Sequence, residues 1–416
     1  MHMTSAFTWV FVAVLAAATF TRLWLARRQI RHVRAHREAV PGLFAEAIPL
    51  VAHQKAADYT VAKSRLGIVD SLLDATILLA LTLGGILQSL SALWEAAFAV
   101  SSLWHGTALI LTVFALRAAL GLPLSLYRIF VVEERFGFNR MTWKLYLTDL
   151  VKQVIVGAVL GIPLLLAVLW LMQAAGPLWW LYAWVVLVGY SLFLQMIYPA
   201  VVMPLFNKFS PLSDPALAQR VEDLLRRTGF RSRGLYVMDG SKRSSHGNAF
   251  FTGFGAAKRI VLFDTLVSRL RPSEVEAVLA HELGHYKLHH IVKGMALSWA
   301  FSFVLLLALG VLSRQPWFYQ GLGVETATLP VALLLFMLVA PEFTFFLQPL
   351  LSLFSRKNEF EADRYAARHA DAGQLVHALV KLYHDNSATL TPDPLHSAYY
   401  DSHPPAATRI ARLRTA

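Results

Sequence analysis

Apolar runs set the rhythm of this chain. Seven of them, near 6–25, 68–90, 103–125, 154–174, 178–203, 291–312 and 328–352, are long enough to cross a hydrocarbon core, which takes roughly 20 residues at 1.5 Å rise each. The first resembles a secretory signal, but its basic cluster follows the apolar run. That order predicts an uncleaved anchor. The connections alternate in charge. Arg27, Arg28, Arg31, Arg34, Arg37, Lys55, Lys63 and Arg65 lie between the first two runs, and Arg128, Arg135, Arg140, Lys144 and Lys152 between the third and fourth. The connections near 91–102, 175–177 and 313–327 hold only Arg314. The positive-inside rule therefore predicts an outside N-terminus and a cytoplasmic location for the long polar segments.

Two stretches have soluble character, which divides the chain into 1–203 (spans one to five), 204–290, 291–354 (spans six and seven) and 355–416. In the second segment, Ser213 or Asp214 is placed to cap a helix running to about Thr228. Strand-like runs follow at Gly234–Met238, Asn248–Gly253 and Arg259–Phe263. Ser273, three residues before Glu276, predicts a capping box for the next helix. The last segment reads as helices that end in a Pro-rich stretch around Thr391–Pro405. The expected fold is an all-α membrane protein of seven transmembrane helices with a cytoplasmic domain containing a small β-sheet.

Composition strengthens the membrane reading: 56% of residues are hydrophobic and 15% charged, with a mean hydropathy of +0.50. A soluble protein of 416 residues could not cover that much apolar surface. The net charge of +12 is spread beside the spans, without the aromatic interleaving of a nucleic-acid site, so no nucleic-acid partner is expected. There are no cysteines. Disulfides and thiolate metal ligands are thereby excluded.

The candidate chemistry lies in His281-Glu282-Leu283-Gly284-His285. Residues four apart share a helix face, so His281 and His285 present two imidazoles to one zinc ion, and Glu282 beside them is a general base. A third protein ligand is needed. Ile291 occupies the place where a metzincin would have its third histidine, Glu325 falls on the opposite side of the membrane, and Glu342 lies within the seventh run. Better placed is Ser355–Asp363, where Glu359 and Asp363 are one helical turn apart. One of them can bind the metal while the other fixes a ligand imidazole through its second nitrogen. Asp70, Asp74 and Glu342 fall within or near spans, where ionisable groups usually face a polar interior.

These residues and several others resemble the type 1 (Ste24-like) CAAX prenyl proteases, integral-membrane zinc metallopeptidases of the M48 family. The resemblance runs from about residue 127 to 410 through Phe130–Asn139, Pro204–Leu212, Arg243–Gly255, the H-E-L-G-H helix, S-R-K-N-E-F-E-A-D and Ser402-His403-Pro404-Pro405. It implies a polar chamber ringed by the seven helices and a gluzincin-type protease domain holding one Zn²⁺ per chain. It makes Glu359 the third zinc ligand and Asp363 the carboxylate behind the ligands, with Glu361 outside the ligand set. It places His403 and Arg409 on the substrate carbonyl or the oxyanion, and Asn248 and Ala249 on an edge strand that pairs with the substrate. His246 reads as structural.

The implied partners are the lipid bilayer and a peptide or protein substrate, which in the family's chemistry can be a prenylated C-terminus. The implied location is the bacterial inner membrane, or the ER membrane in a eukaryote, with the catalytic site facing the cytoplasm. Two other functions remain open at this point. One is an HtpX-like quality-control protease, for which seven spans are many; the other is a transporter or channel carrying the motif by accident.

Overall fold

The computed structural model describes residues 2–100, 102–230, 232, 234–252 and 259–415. The N-terminal region runs α1 His2–Ala35, α2 Leu50–Leu81, α3 Ile86–Glu95, α4 Leu103–Tyr127, α5 Trp143–Ala174, α6 Trp179–Ile197 and the short α7 Met203–Phe206. Then follow β1 Phe209–Pro211, α8 Pro215–Arg227, β2 Leu235–Met238, β3 Ala249–Thr252, β4 Arg259–Phe263, α9 Asp264–Val267 and α10 Pro272–Lys287. The chain turns apolar again through α11 His290–Leu312, α12 Pro316–Gln320 and α13 Leu329–Thr344. It finishes with α14 Gln348–His369, α15 Ala372–Asp385, α16 Pro394–Tyr400 and α17 Ala406–Leu413.

Among the described residues, six helical stretches are long and apolar enough to cross a membrane, and a seventh is the bent pair α2–α3. The protein is therefore a multi-pass integral membrane protein. Large apolar side chains such as Trp170, Val159 and Val154 point outward, as lipid-facing positions require. The second run, expected to be continuous over 68–90, breaks after Leu81 and resumes at Ile86 with a 51° bend. Gly85 turns the corner at φ +76°, a conformation that favours glycine. Several helices outlast the hydrocarbon core. The stretch Trp143–Ala174 has 32 residues, about 48 Å at 1.5 Å per residue against a core of about 30 Å. Their polar ends project from the bilayer and carry the protease region.

That region has its own core, with Leu217, Val221 and Leu224 of α8, Ile260 and Leu262 of β4, Leu279 and Leu283 of α10, Leu375 of α15 and Ile410 of α17. Asp214 caps α8, accepting from the Ala216 and Leu217 amides. The sheet has the order β1-β2-β4-β3, with β2 and β4 parallel and the outer pairs antiparallel. β3 is thus an edge strand. Gly253, the expected end of that strand, lies outside the described residues, as do Phe254 and Gly255 of the quoted motif.

The expected Ser273–Glu276 capping box does not form. Pro272 starts the helix two residues earlier than that box requires, so the Arg271 amide donates to Glu274 Oε2 at 2.8 Å. Ser273 bonds instead to Gln374, and Glu276 pairs with Arg220 and Arg227.

Candidate active site

α10 and α14 build the site by packing at close range. Gly284 makes this possible, because a Cβ there would meet the Ala362 Cα at 3.0 Å and the Tyr365 Cβ at 3.1 Å. The approach brings His281 and His285 on one face of α10 opposite Glu359 and Asp363 on one face of α14. His281 Nε2 and His285 Nε2 are 3.2 Å apart. His281 Nε2 lies 3.4 Å from Glu359 Oε2, and His285 Nε2 lies 3.2 Å from Glu359 Oε1. A tetrahedral zinc with bonds of about 2.0–2.1 Å needs ligand atoms about 3.3 Å apart.

A second observation agrees with a metal at this point. Glu359 Oε2 is buried and has no hydrogen-bond partner, a costly arrangement unless a cation completes it. His281, His285 and Glu359 are the one group found among the described residues whose ligand atoms suit a metal ion.

Behind the triangle, His281 Nδ1 lies 2.9 Å from Asp363 Oδ1. Arg409 closes on the same carboxylate, with Nε donating to Oδ2 at 2.9 Å and Nη2 to Oδ1 at 2.6 Å. The resemblance put Arg409 beside His403 on the substrate carbonyl. In the structure Arg409 is buried at 5% exposure, with its fork engaged by Asp363 and its Nη1 3.5 Å from Glu359 Oε2. His403 is the open member of the pair. Its Nε2 is 3.3 Å from Glu359 Oε1, and it lines a cavity of about 850 Å³.

Burial opposes charge on His281, but hydrogen bonds to Asp363 and Glu359 outweigh it and raise its pKa to about 9. Burial pushes the Glu282 carboxyl above the ordinary carboxylate value, the direction that suits a group meant to take and return a proton near neutrality. Desolvation at the cavity wall holds His403 below its usual value, with Glu359 pulling the other way.

The cavity runs along α1, α2 and the segment that follows α15, and its wall includes Arg22, Asp70, His246, Tyr400 and His403. Glu342 was expected to face such a chamber directly. It is instead held by Arg22, whose Nη1 lies 2.7 Å from Glu342 Oε2, so the arginine is what meets the cavity. Asp70 and Asp74 are half-exposed or more, 3.5 Å from Arg128 and Arg117 respectively. His246 stacks on Phe138 with centroids 4.4 Å apart, and its Nδ1 lies 3.1 Å from Asn386 Oδ1.

Ala249 begins the edge strand β3, and Asn248 immediately precedes it. Asn248 accepts from the Phe263 amide through its main-chain oxygen, so the alternating antiparallel ladder turns the Ala249 amide away from β4. The Asn248 side chain covers that amide at 2.8 Å. Sequence reasoning missed two neighbours of the metal triangle. His290 Nδ1 sits 3.0 Å from His285 Nδ1, and Glu361 Oε2 sits 3.1 Å from His290 Nε2. The signal available was the His289-His290 pair that follows His285.

Residues 29–208 match a family described as CAAX prenyl protease N-terminal, five membrane helices, and residues 211–416 match peptidase family M48. The chain is 37% identical over 293 residues to the CAAX prenyl protease 1 homolog of Arabidopsis thaliana, covering 70% of this chain and 69% of that protein. It is 37% identical over 315 residues to CAAX prenyl protease 1 of Saccharomyces cerevisiae, covering 72% and 70%. The crystal structure of S. mikatae Ste24p superposes with a TM-score of 0.91 at 31% identity, covering 98% of this chain and 99% of that one.

Proposed function

The chain belongs to peptidase family M48 and is a membrane metalloprotease of the CAAX-processing type, and we propose that its metal is one zinc per chain held by His281, His285 and Glu359. The observation that carries this reading is the convergence of His281 Nε2, His285 Nε2 and the Glu359 carboxylate at 3.2–3.4 Å, each nitrogen facing a different carboxylate oxygen. Bound zinc supplies the Lewis acidity that makes water nucleophilic near neutral pH.

The chain's own residues do the rest. Glu282 takes the proton of the attacking water and returns it to the leaving amine, a task that its raised pKa supports. His403, open to the cavity, donates to the oxyanion that forms as the amide carbonyl is attacked. Asp363 keeps the His281 Nδ1–H fixed, so that Nε2 is free to bind metal. Arg409 neutralises and orients Asp363 and acts on the reaction only through it. The β3 edge receives the extended substrate by strand addition, with the peptide displacing the Asn248 side chain from the Ala249 amide.

The protease segments 204–290 and 355–416 face the cytoplasm in this reading, and segments 1–203 and 291–354 form the membrane part. Lys and Arg on the connections that join the protease side support that orientation. In a bacterium the site would face the cytoplasm from the inner membrane; in a eukaryote, from the ER membrane.

The substrate is a peptide or protein, and we assign to it a prenylated C-terminus cleaved to release the last three residues. The test is to incubate purified protein with a prenylated CAAX peptide, its unprenylated twin and an unfolded protein. Release of the tripeptide from the first at the highest kcat/KM is expected. Faster cleavage of the unfolded protein, with the peptide left intact, would favour a quality-control role.

A further inference from the structure

We propose that His290 is a positioning residue for His285, holding that ligand's ring through a hydrogen-bonded chain that runs from Glu361 through His290 to His285. The inference rests on the assignment of His285 as a metal ligand above.

The hydrogen bonding fixes the direction of the chain. A neutral imidazole that gives Nε2 to a metal carries its proton on Nδ1, and such a ring almost always donates that proton to a fixed acceptor. For His281 the acceptor is the Asp363 carboxylate at 2.9 Å. Among the described residues, no carboxylate stands at His285 Nδ1. The atom there is His290 Nδ1 at 3.0 Å. To accept, His290 must be the tautomer protonated on Nε2, and that nitrogen faces Glu361 Oε2 at 3.1 Å. Each donor therefore meets an acceptor, and the end of the chain is an anion.

Placement argues the same way. His290 is buried at 5% exposure, and it lies on the far side of the His285 ring from Nε2, so it is no competitor for the metal. The chain reaches it by an abrupt corner: α10 ends at Lys287 and α11 starts at His290, with His289 between them at φ +59°. That left-handed conformation is uncommon outside glycine, histidine being among the residues that tolerate it best. The corner folds the first residue of α11 back beneath the last turn of α10. Glu361 comes from α14 between Glu359 and Asp363, so one helix serves the metal and both imidazole ligands. Lys293 approaches the same carboxylate at 4.0 Å.

The experiment measures zinc dissociation from purified protein into an excess of a chromophoric chelator, without substrate. His290→Leu removes the acceptor, whereas His290→Asn puts an amide oxygen near the position of Nδ1. The expected result is roughly 10- to 100-fold weaker zinc retention in His290→Leu, with His290→Asn close to wild type. Wild-type retention in His290→Leu, or equal loss in both variants, overturns the proposal. Should His290→Leu fail to fold, Glu361→Leu is read in the same assay. Intermediate loss there supports the chain and unchanged retention overturns it. His281→Ala is the control for the underlying site: if it keeps its zinc, the metal assignment itself has failed.

Discussion

Gly284 faces Ala362 so closely that the smallest side chain on the glycine would lie 3.0 Å from the alanine's Cα. The atoms in the way are the Ala362 backbone and the Tyr365 Cβ, none of which can rotate aside. This contact sets the spacing of α10 and α14 and hence the size of the metal triangle. Gly284→Ala is expected to destabilise the protein by about 1–3 kcal/mol through overpacking. It should also weaken zinc retention by widening the distance from the histidines to Glu359. A thermal melt together with zinc analysis checks both effects.

Arg409 and Asp363 form a buried, two-pronged ion pair. Removing one partner from such a pair leaves an uncompensated charge and costs about 3–5 kcal/mol. Arg409→Met is expected to incur that loss, and the double variant Arg409→Met/Asp363→Leu to recover part of the stability but not the activity. Equal stability of the single and double variants in a denaturation series would contradict the pairing.

Proton release on metal uptake provides a pH test. Asp363 and Glu359 hold His281 at a pKa of about 9 without metal, so at pH 7 the ring is protonated. Zinc must displace the proton on Nε2, so binding releases a proton and weakens as pH falls. Titration calorimetry of the metal-free protein in buffers of different ionisation enthalpy should show that release. Asp363→Asn, which removes a hydrogen-bonded carboxylate that raises the His281 pKa, should release less.

Strand addition at β3 predicts a period of two along the substrate. N-methylation of successive peptide amides should lower kcat/KM at alternate positions by about 2- to 12-fold each, one net hydrogen bond of about 0.5–1.5 kcal/mol. A uniform effect along the peptide would argue against pairing with the edge.

How far the sequence foretold this arrangement depended on how local each signal was. The His281–His285 pair was legible because i,i+4 spacing fixes a shared helix face whatever surrounds it. The choice of Glu359 over Asp363 as ligand came from resemblance, since spacing alone leaves the two equivalent. The β4 strand Arg259–Phe263 was read to the residue, a short apolar run with two β-branched residues that stops at Asp264. The break after Leu81 was hidden inside a continuous apolar run, where periodicity says nothing and Gly85 was the only clue. Ser273 misled because the helix starts at Pro272, two residues before the start that a Ser273 cap implies. The pairing of Arg409 with Asp363 was out of reach, as it depends on where α17 packs. The same holds for His290, which meets His285 only because the chain turns sharply at His289.

Glu282 tests the account most directly. It stands beside both histidines, its pKa raised by burial, and the account gives it the proton transfer and no part in holding the metal. The measurement is cleavage of a CAAX peptide by Glu282→Gln protein shown to contain zinc. The expected result is one zinc per chain and no detectable cleavage. Full activity in that variant would contradict the account.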